Sequence, residues 1–272
     1  MAPGDTLPEA YERLEYDMPG SFVTLDVDGS LMQTYVAVPE GDGPHPGVAV
    51  AQHRLGIDVF VRDICDRLAQ AGFAAAAPDL YHRQWDKATF DEITGLPRGD
   101  EHAEEILRPF SATLEDQHLV HDMTGALAHL RGLPAVGDAP LGVLGFCQGG
   151  RVAYLMATRN ASLKATACFY PGGVFAPRGG GPSPFAASDR IESPVICFFG
   201  KQDENPSPEH MERMDVELSR LGVEHTFHAY DGVGHAFMDP SNTHGHLPDV
   251  AKDAWSKAID FFGEKLKASV KA

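Results

Sequence analysis

Residues 141–151 have the sequence LGVLGFCQGGR, and this stretch decides the fold. It starts as an apolar strand, passes through Gly-x-Cys-x-Gly-Gly and continues into a segment compatible with a helix. A strand-to-helix turn this tight strains the backbone at its central residue, so the residues two positions away have to be small. Gly145 and Gly149 meet that requirement on either side of Cys147. The pattern predicts a nucleophile elbow in which Cys147 is the nucleophile.

The setting of Cys147 also favours a reactive thiol. A helix that begins near Gln148 points the positive end of its dipole at the sulfur, which stabilises a thiolate. Two other interpretations remain open, a core cysteine that precedes a helix and a glycine-rich turn that only packs. We interpret Cys65, Cys168 and Cys197 as small buried apolar residues, because free cysteine is among the most buried residue types.

Apolar strands alternate with amphipathic helices along most of the chain. Alternation of this kind predicts βαβ units and a largely parallel sheet, and Asp28-Gly29 between the first two strands predicts an antiparallel hairpin. We therefore predict an α/β fold with a mostly parallel central sheet, an N-terminal antiparallel hairpin and helices on both faces. The predicted strands are 22–28, 32–38, 47–52, 73–77, 141–144, 165–170, 194–199 and 225–230.

The domain organisation is predicted to be simple. Residues 1–20 are acidic and polar and form an N-terminal extension, and residues 21–268 form a single domain. Residues 81–110 are irregular and are interpreted as an excursion over the sheet with one or two short helices. Periodic apolar residues then predict a helix over 113–130, for which Thr113 and Asp116 resemble a capping box.

Composition excludes several classes of partner. The 272 residues carry a formal charge of −17 and a pI near 5.0, which disfavours binding to nucleic acid or to an anionic membrane. No apolar run approaches the roughly 18 residues of a membrane-spanning helix. We see no secretory signal at the N-terminus, so we expect a cytoplasmic protein. We also expect no cofactor.

A nucleophile at an elbow needs a base and a group that orients the base. Asp203 follows the predicted strand 194–199, and His235 follows the strand that ends at residue 230. Both positions lie just beyond the carboxyl ends of strands, where the functional residues of open α/β sheets gather. Glu204 is the nearest alternative to Asp203. His228 is the alternative to His235, but it lies inside a predicted strand.

Five motifs in a fixed order carry a family resemblance. AQHRLG, PDLYHRQ, GFCQGG, GKQD and GHAF follow one another within about residues 21–266, and in this arrangement the chain resembles the dienelactone hydrolases (carboxymethylenebutenolidases). The resemblance implies an α/β-hydrolase fold with a triad of Cys147, His235 and Asp203. It also implies an oxyanion hole formed by the backbone N–H groups of Gln148 and Arg54.

His53 departs from the pattern of that family. The family carries a Glu at the aligned position, where it interacts with the resting thiol and takes part in activation when substrate binds. A carboxylate beside a thiol disfavours the thiolate because like charges repel. An imidazole has the opposite effect, since imidazolium favours the thiolate and neutral imidazole accepts the S–H proton. We therefore expect Cys147 to be active before substrate binds and to attack neutral esters and lactones. In the alternative interpretation, His53 points away and only caps the loop after its strand.

The residues expected to hold a substrate carboxylate are reduced to one. The family has Ser and Arg at the positions of Ala236 and Asp239, so Arg83 in PDLYHRQ is the anchor that survives. The alternative role for Arg83 is a surface ion pair. The changes at Ala236 and Asp239 weaken the case for dienelactone itself as the substrate.

These observations lead to one predicted function with two rivals. We expect a hydrolase of a small ester or lactone that works through a thioester, as a monomer or homodimer with a small-molecule substrate. One rival is a Cys-elbow hydrolase of the glutamine-amidotransferase type, although the expected His-x-Glu is replaced by Ala-Phe after His235. The other is a binding protein without catalysis.

His244, His246 and Asp239 lack a convincing metal geometry, and we expect no metal.

Overall fold

Eight strands form one sheet in the computed structural model, which describes residues 19–94 and 101–267. Their order in space is β1-β2-β4-β3-β5-β6-β7-β8, where the bounds are β1 (Ser21–Val27), β2 (Ser30–Ala37), β3 (Gly47–Ala51), β4 (Ala74–Pro78), β5 (Leu141–Phe146), β6 (Ala165–Phe169), β7 (Val195–Gly200) and β8 (His225–Tyr230). Strands β3 to β8 run parallel, whereas β1 pairs antiparallel with β2 and β2 antiparallel with β4. The predicted mostly parallel sheet with an N-terminal hairpin is confirmed.

Helices cover both faces of this sheet. The α-helices of the described residues are α1 (Val59–Gln70), α2 (Lys87–Thr94), α3 (Glu101–Thr113), α4 (Asp116–Gly132), α5 (Gln148–Arg159), α6 (Pro208–Leu221) and α7 (Pro248–Phe262). A 3₁₀ helix (Phe185–Arg190) and a π-helical turn (Gly263–Lys267) complete the set. Helices α1 and α7 pack on one face, and α4 and α5 pack on the other. Within residues 19–94 and 101–267, no helix combines the length and the apolar character needed to cross a membrane.

Strand β3 shows how one apolar run serves two cores. Val48 and Val50 face the core under α1, while Ala49 and Ala51 face the core under α4 and α5. All four side chains are fully buried, which explains why a central parallel strand is continuously apolar rather than alternating. The three cysteines predicted to be buried, Cys65, Cys168 and Cys197, lie in these two cores as free thiols.

The hairpin turn has the backbone that its sequence predicts. Asp28 and Gly29 have φ values of 54° and 77°, as a two-residue turn between twisted antiparallel strands requires. The capping-box prediction at Thr113 was wrong, because Thr113 ends α3 and its hydroxyl donates to the Phe110 carbonyl. Helix α4 begins after Glu115, which makes no side-chain cap bond.

The irregular segment after β4 contains α2 and α3, in agreement with the prediction of short helices. Residues 95–100 between them lie outside the described part of the chain, as do residues 1–18 of the predicted N-terminal extension and the residues after 267. The division into an extension and a single domain over residues 21–268 therefore stays a prediction.

Candidate active site

Cys147 occupies the turn between β5 and α5. Its φ of 55° and ψ of −117° lie in a region that costs free energy for any residue with a side chain. A Cβ on Gly149 would collide with the carbonyl oxygen of Ala51, and one on Gly145 would collide with the Gly149 carbonyl. The small residues that the sequence places around the elbow are thus required by close backbone contacts.

His235 and Asp203 form a hydrogen-bonded pair beside this turn. Asp203 follows β7 and is buried, His235 follows β8, and Nδ1 of His235 lies 2.6 Å from Oδ2 of Asp203. Oδ1 of Asp203 accepts a second bond from the backbone N–H of Asn205 at 2.9 Å. The ring of Tyr170 packs edge-on against the imidazole with 5.0 Å between ring centroids. The imidazole is therefore held from two sides.

The two alternative residues lie in different surroundings. Glu204 is exposed, and the carboxylate bonded to His235 belongs to Asp203. His228 lies within β8, where its ring stacks on Phe198 at 5.4 Å, and burial lowers its pKa. The structure thus brings His235 and Asp203 together, as the order of motifs predicts.

The charges around Cys147 favour its thiolate. Burial alone would raise the pKa of the thiol, but a hydrogen bond with His235, the positive charges of His235 and His53 and the backbone N–H of Gln148 lower it below its usual value. Burial opposes the charged form of His235 as well. Its bonds to Asp203 and Cys147 nevertheless raise its pKa to about 10. Thiolate and imidazolium stabilise each other.

We expect iodoacetamide at pH 6.5 to alkylate Cys147 well before the other three cysteines. The lowered pKa of Cys147 leaves thiolate present at a pH where a free thiol, with a pKa of ~8.5, is almost fully protonated. Burial raises the pKa of Cys65 and Cys197, and Cys168 is also fully buried. Peptide mapping by mass spectrometry over a time course gives the rates, and equal labelling of all four sites in the folded protein would contradict an elbow thiolate.

His53 interacts electrostatically with the Cys147 thiol and contacts a carboxylate. It is buried just after β3, its Nε2 lies 2.9 Å from Oδ2 of Asp58, and its charge acts on the Cys147 thiol. Oδ1 of Asp58 caps α1 by accepting from the N–H of Val61. The contact with Asp58 fits the interpretation that His53 anchors the loop after its strand, and the electrostatic interaction with Cys147 fits the other interpretation. The role of His53 stays a prediction.

One group of side chains in the described residues has donors close enough to hold a metal ion. His53, Asp58 and Asp239 each offer one ligand atom, and these atoms lie within 4.8 Å of one another. Of the metal candidates considered from sequence, Asp239 belongs to this group, whereas Nδ1 of His246 bonds the Phe237 carbonyl and His244 contacts Thr243. The absence of a metal stays a prediction, and a metal ion bound at this cluster would contradict it.

Tyr81 links the two residues predicted to form the oxyanion hole. Its hydroxyl donates to the carbonyl of Arg54 at 2.8 Å and accepts from Nε2 of Gln148 at 3.2 Å. The ring is fully buried, and burial raises the pKa of the phenol to about 12, so the hydroxyl stays a donor. Sequence reasoning missed this residue, although it belongs to the PDLYHRQ motif.

Arg83 is engaged by carboxylates. Its NH1 donates to both oxygens of Asp122 at 2.6 and 2.8 Å, and its NH2 donates to Asp28 at 3.1 Å. The structure therefore shows the ion pair that was the alternative role for Arg83. Its part in substrate binding stays a prediction.

A second arginine, Arg178, interacts electrostatically with Cys147. Sequence reasoning missed Arg178 because it stands in a Gly- and Pro-rich loop without a motif.

With this geometry in place, comparison with known proteins gives the family. The sequence profile of the Dienelactone hydrolase family matches residues 32–266, which is most of the chain. The chain belongs to the dienelactone hydrolase family. A candidate carboxymethylenebutenolidase of Synechocystis sp. is 30% identical over 253 residues, covering 92% of this chain and 99% of the relative. A candidate carboxymethylenebutenolidase of Salmonella typhimurium is 32% identical over 246 residues, covering 89% and 86%.

Solved structures agree with this family. The crystal structure of a candidate dienelactone hydrolase from Klebsiella pneumoniae superposes with a TM-score of 0.74 at 27% identity, covering 90% of this chain and 98% of the other. The dienelactone hydrolase-like promiscuous phosphotriesterase P91 superposes with a TM-score of 0.69 at 22% identity, covering 91% and 99%. At that identity the second likeness shows the fold alone. The protein is a dienelactone hydrolase-type hydrolase of the α/β-hydrolase superfamily.

Proposed function

We propose that this dienelactone hydrolase family member cleaves a small ester or lactone through a thioester on Cys147. One observation carries the proposal: His235 is hydrogen-bonded to the carboxylate of Asp203 at 2.6 Å and interacts with the thiol of Cys147, whose pKa it lowers. A nucleophile, a base and an orienting acid in this order are the parts that acyl transfer requires. Arg83 remains proposed as a weak substrate contact, and His53 as the residue that keeps the thiol ionised.

The first half of the reaction forms the thioester. The thiolate of Cys147 attacks the carbonyl carbon, and the negative charge that develops on the oxygen is held by the backbone N–H groups of Gln148 and Arg54. The imidazolium of His235 then gives its proton to the leaving oxygen as the carbon–oxygen bond breaks. In a lactone, the leaving oxygen stays attached to the acyl group.

The second half releases the acid. His235 is now neutral and removes a proton from water, which attacks the thioester carbonyl, and the same two N–H groups hold the oxyanion. Collapse of this intermediate expels the thiolate and restores the thiolate–imidazolium pair. Asp203 keeps Nδ1 of His235 protonated throughout, so that Nε2 faces the reacting atoms.

The cellular setting is part of the same proposal. Cys65, Cys168 and Cys197 are free thiols, which supports a reducing compartment such as the cytoplasm. The chemistry above needs a small-molecule substrate and no cofactor. A monomeric or homodimeric state stays a prediction.

The proposal is tested by trapping the acyl enzyme. We expect the wild-type protein to turn over p-nitrophenyl acetate and, when quenched during turnover, to carry an acetyl group on the peptide that contains Cys147. The Cys147→Ala variant is expected to fold, to bind the ester and to form neither the adduct nor product above the solution rate. Mass spectrometry of the quenched digest and release of p-nitrophenol give the two measurements.

The outcomes separate the rival functions. A folded protein that binds esters without turnover would be a binding protein. Turnover that persists in Cys147→Ala would place the nucleophile elsewhere. Hydrolysis of glutamine amides in preference to esters would favour a Cys-elbow hydrolase of the amidotransferase type.

A further inference from the structure

The Tyr81 hydroxyl joins the two segments that carry the proposed oxyanion donors. It donates to the carbonyl oxygen of Arg54 at 2.8 Å and accepts from Nε2 of Gln148 at 3.2 Å. Arg54 lies in the loop after β3, and Gln148 is the first residue of α5, so this bridge connects segments that are far apart in sequence. The tyrosine is fully buried, which leaves its hydroxyl little freedom to change partners. The bridge therefore constrains both segments at once.

The other partners of Gln148 set the direction of the hydrogen bonds in the bridge. Oε1 of Gln148 accepts from the hydroxyl of Ser111 at 2.5 Å and from NH1 of Arg178 at 3.3 Å. Its Nε2, which can only donate, is thereby turned toward Tyr81. A phenol has one hydrogen, and the Tyr81 hydroxyl gives it to the Arg54 carbonyl. That hydroxyl has no second hydrogen for a substrate oxygen, so Tyr81 is a positioning residue and not a third oxyanion donor.

Arg54 occupies a turn whose central peptide has two common orientations. The N–H of Gly56 donates to the carbonyl of His53 at 3.2 Å, which closes a four-residue turn with Arg54 at its second position. Type I and type II turns differ by a flip of the peptide that contains the carbonyl of this second residue. The bond from Tyr81 holds that carbonyl in one orientation and restricts rotation about the Arg54 Cα. The N–H of Arg54 is attached to the same Cα and is restricted as well.

We infer that the Tyr81 hydroxyl positions the oxyanion hole by holding Arg54 and Gln148 in a fixed relation to each other. The inference rests on the proposed ester hydrolysis and adds a residue that acts through the two backbone donors. Such donors accelerate a reaction most when they already point to the place where negative charge develops. Loss of the bridge should therefore weaken binding of the transition state and leave binding of the substrate ester unchanged.

The first experiment is the steady-state kinetics of Tyr81→Phe, which lacks the hydroxyl but keeps the ring that contacts Trp85 and Phe110. We expect kcat for p-nitrophenyl acetate to fall about tenfold with KM unchanged, less than the roughly 10²- to 10³-fold loss on removal of an oxyanion donor. Tyr154→Phe is the matched control, because Tyr154 is equally buried and its hydroxyl bonds Ser188 at 2.6 Å. This control is expected to change kcat by less than about twofold.

The alkylation rate of Cys147 separates positioning of the oxyanion hole from a structural effect. Iodoacetamide is attacked at a saturated carbon and iodide leaves, so no oxyanion forms in that reaction. We expect Tyr81→Phe to be alkylated at the wild-type rate throughout the neutral pH range. A general loosening of the site would instead slow the alkylation and shift its pH profile.

A trifluoromethyl ketone tests the same donors without turnover. The Cys147 thiolate adds to the carbonyl carbon, a carbon–sulfur bond forms, and the carbonyl electron pair moves to the oxygen as an oxyanion that the two N–H groups hold. Trifluoroacetone is expected to protect Cys147 from iodoacetamide in the wild-type protein. Tyr81→Phe should need about tenfold more ketone for equal protection. Gln148→Met breaks the bridge from its other end and is expected to show the same pattern, which keeps the test available if Tyr81→Phe does not fold.

The outcomes distinguish failure of this inference from failure of the proposed hydrolysis. Weaker protection by the ketone in Tyr81→Phe, without ester turnover in the wild-type protein, would support the positioning role while the hydrolysis fails. Ester turnover and ketone protection that are equal in wild type and Tyr81→Phe would support the hydrolysis and overturn the inference. An alkylation rate that falls as far as kcat would overturn it too, because Tyr81 would then act on the thiol or on the fold.

Discussion

Asp203→Asn is expected to lower kcat for p-nitrophenyl acetate by about 10⁴-fold, the loss known for the equivalent change in a Ser triad. Asp203 accepts the Nδ1 proton of His235 at 2.6 Å and helps raise the pKa of that imidazole to about 10. An amide at this position donates as well as accepts, so it stabilises the wrong tautomer and no longer favours imidazolium. Steady-state kinetics gives kcat, and circular dichroism with a thermal melt shows whether the fold persists.

Glu204→Gln is the matched control for this prediction. Glu204 is the adjacent carboxylate, but it is exposed, and its removal is expected to change kcat by less than about twofold. A larger loss in Glu204→Gln than in Asp203→Asn would mean that the wrong carboxylate has been assigned. The pH profile gives a second test of the Asp203 assignment. Without the Asp203 carboxylate the pKa of His235 falls, so in Asp203→Asn the imidazolium is expected to lose its proton at lower pH than in the wild-type protein.

The sheet could be predicted from sequence because its determinants are local. Apolar runs such as residues 47–51 and 195–200 allow few conformations other than a strand buried on both faces. Asp28-Gly29 is one of the few dipeptides that take positive φ at both positions of a hairpin turn. The glycines around Cys147 encode the elbow in the same way, since larger side chains would meet backbone atoms.

The remaining features depend on contacts between distant residues. Arg83 and Asp122 are far apart in sequence and meet only when α4 packs beside β4, so a motif alone could not show that Arg83 is neutralised. The hydrogen bonds of Tyr81 and Arg178 to Gln148 likewise join residues that are distant in sequence. The predicted helix start at Thr113 was wrong for a different reason. Thr113 has a side chain suited to capping a helix, but it is the last residue of the preceding helix.

His53→Glu is expected to lower kcat/KM for a neutral ester at pH 7 by about 10²-fold. Nε2 of the present imidazole lies 2.9 Å from Oδ2 of Asp58, the ring lies in a cluster with Asp239, and a positive charge on it lowers the pKa of the Cys147 thiol. A glutamate would add a third carboxylate, and repulsion between like charges would raise the pKa of the thiol. Each unit by which this pKa lies above the working pH lowers the thiolate fraction about tenfold, so activity should recover as the pH is raised.

The effect of charge is separated from that of packing by two further variants. His53→Gln and His53→Ala remove the charge without adding a carboxylate, and both are expected to lose about tenfold, with the alkylation rate of Cys147 falling in parallel. His53→Gln also guards against misfolding, since it keeps a polar side chain of similar size beside Asp58. The electrostatic account fails if two results occur together. The first is that the wild-type protein turns over an ester only when that ester carries a carboxylate. The second is that His53→Ala changes neither kcat/KM for a neutral and a carboxylate-bearing ester nor the alkylation rate of Cys147. In that case His53 only anchors its loop, and the thiolate depends on His235 and the start of α5 alone.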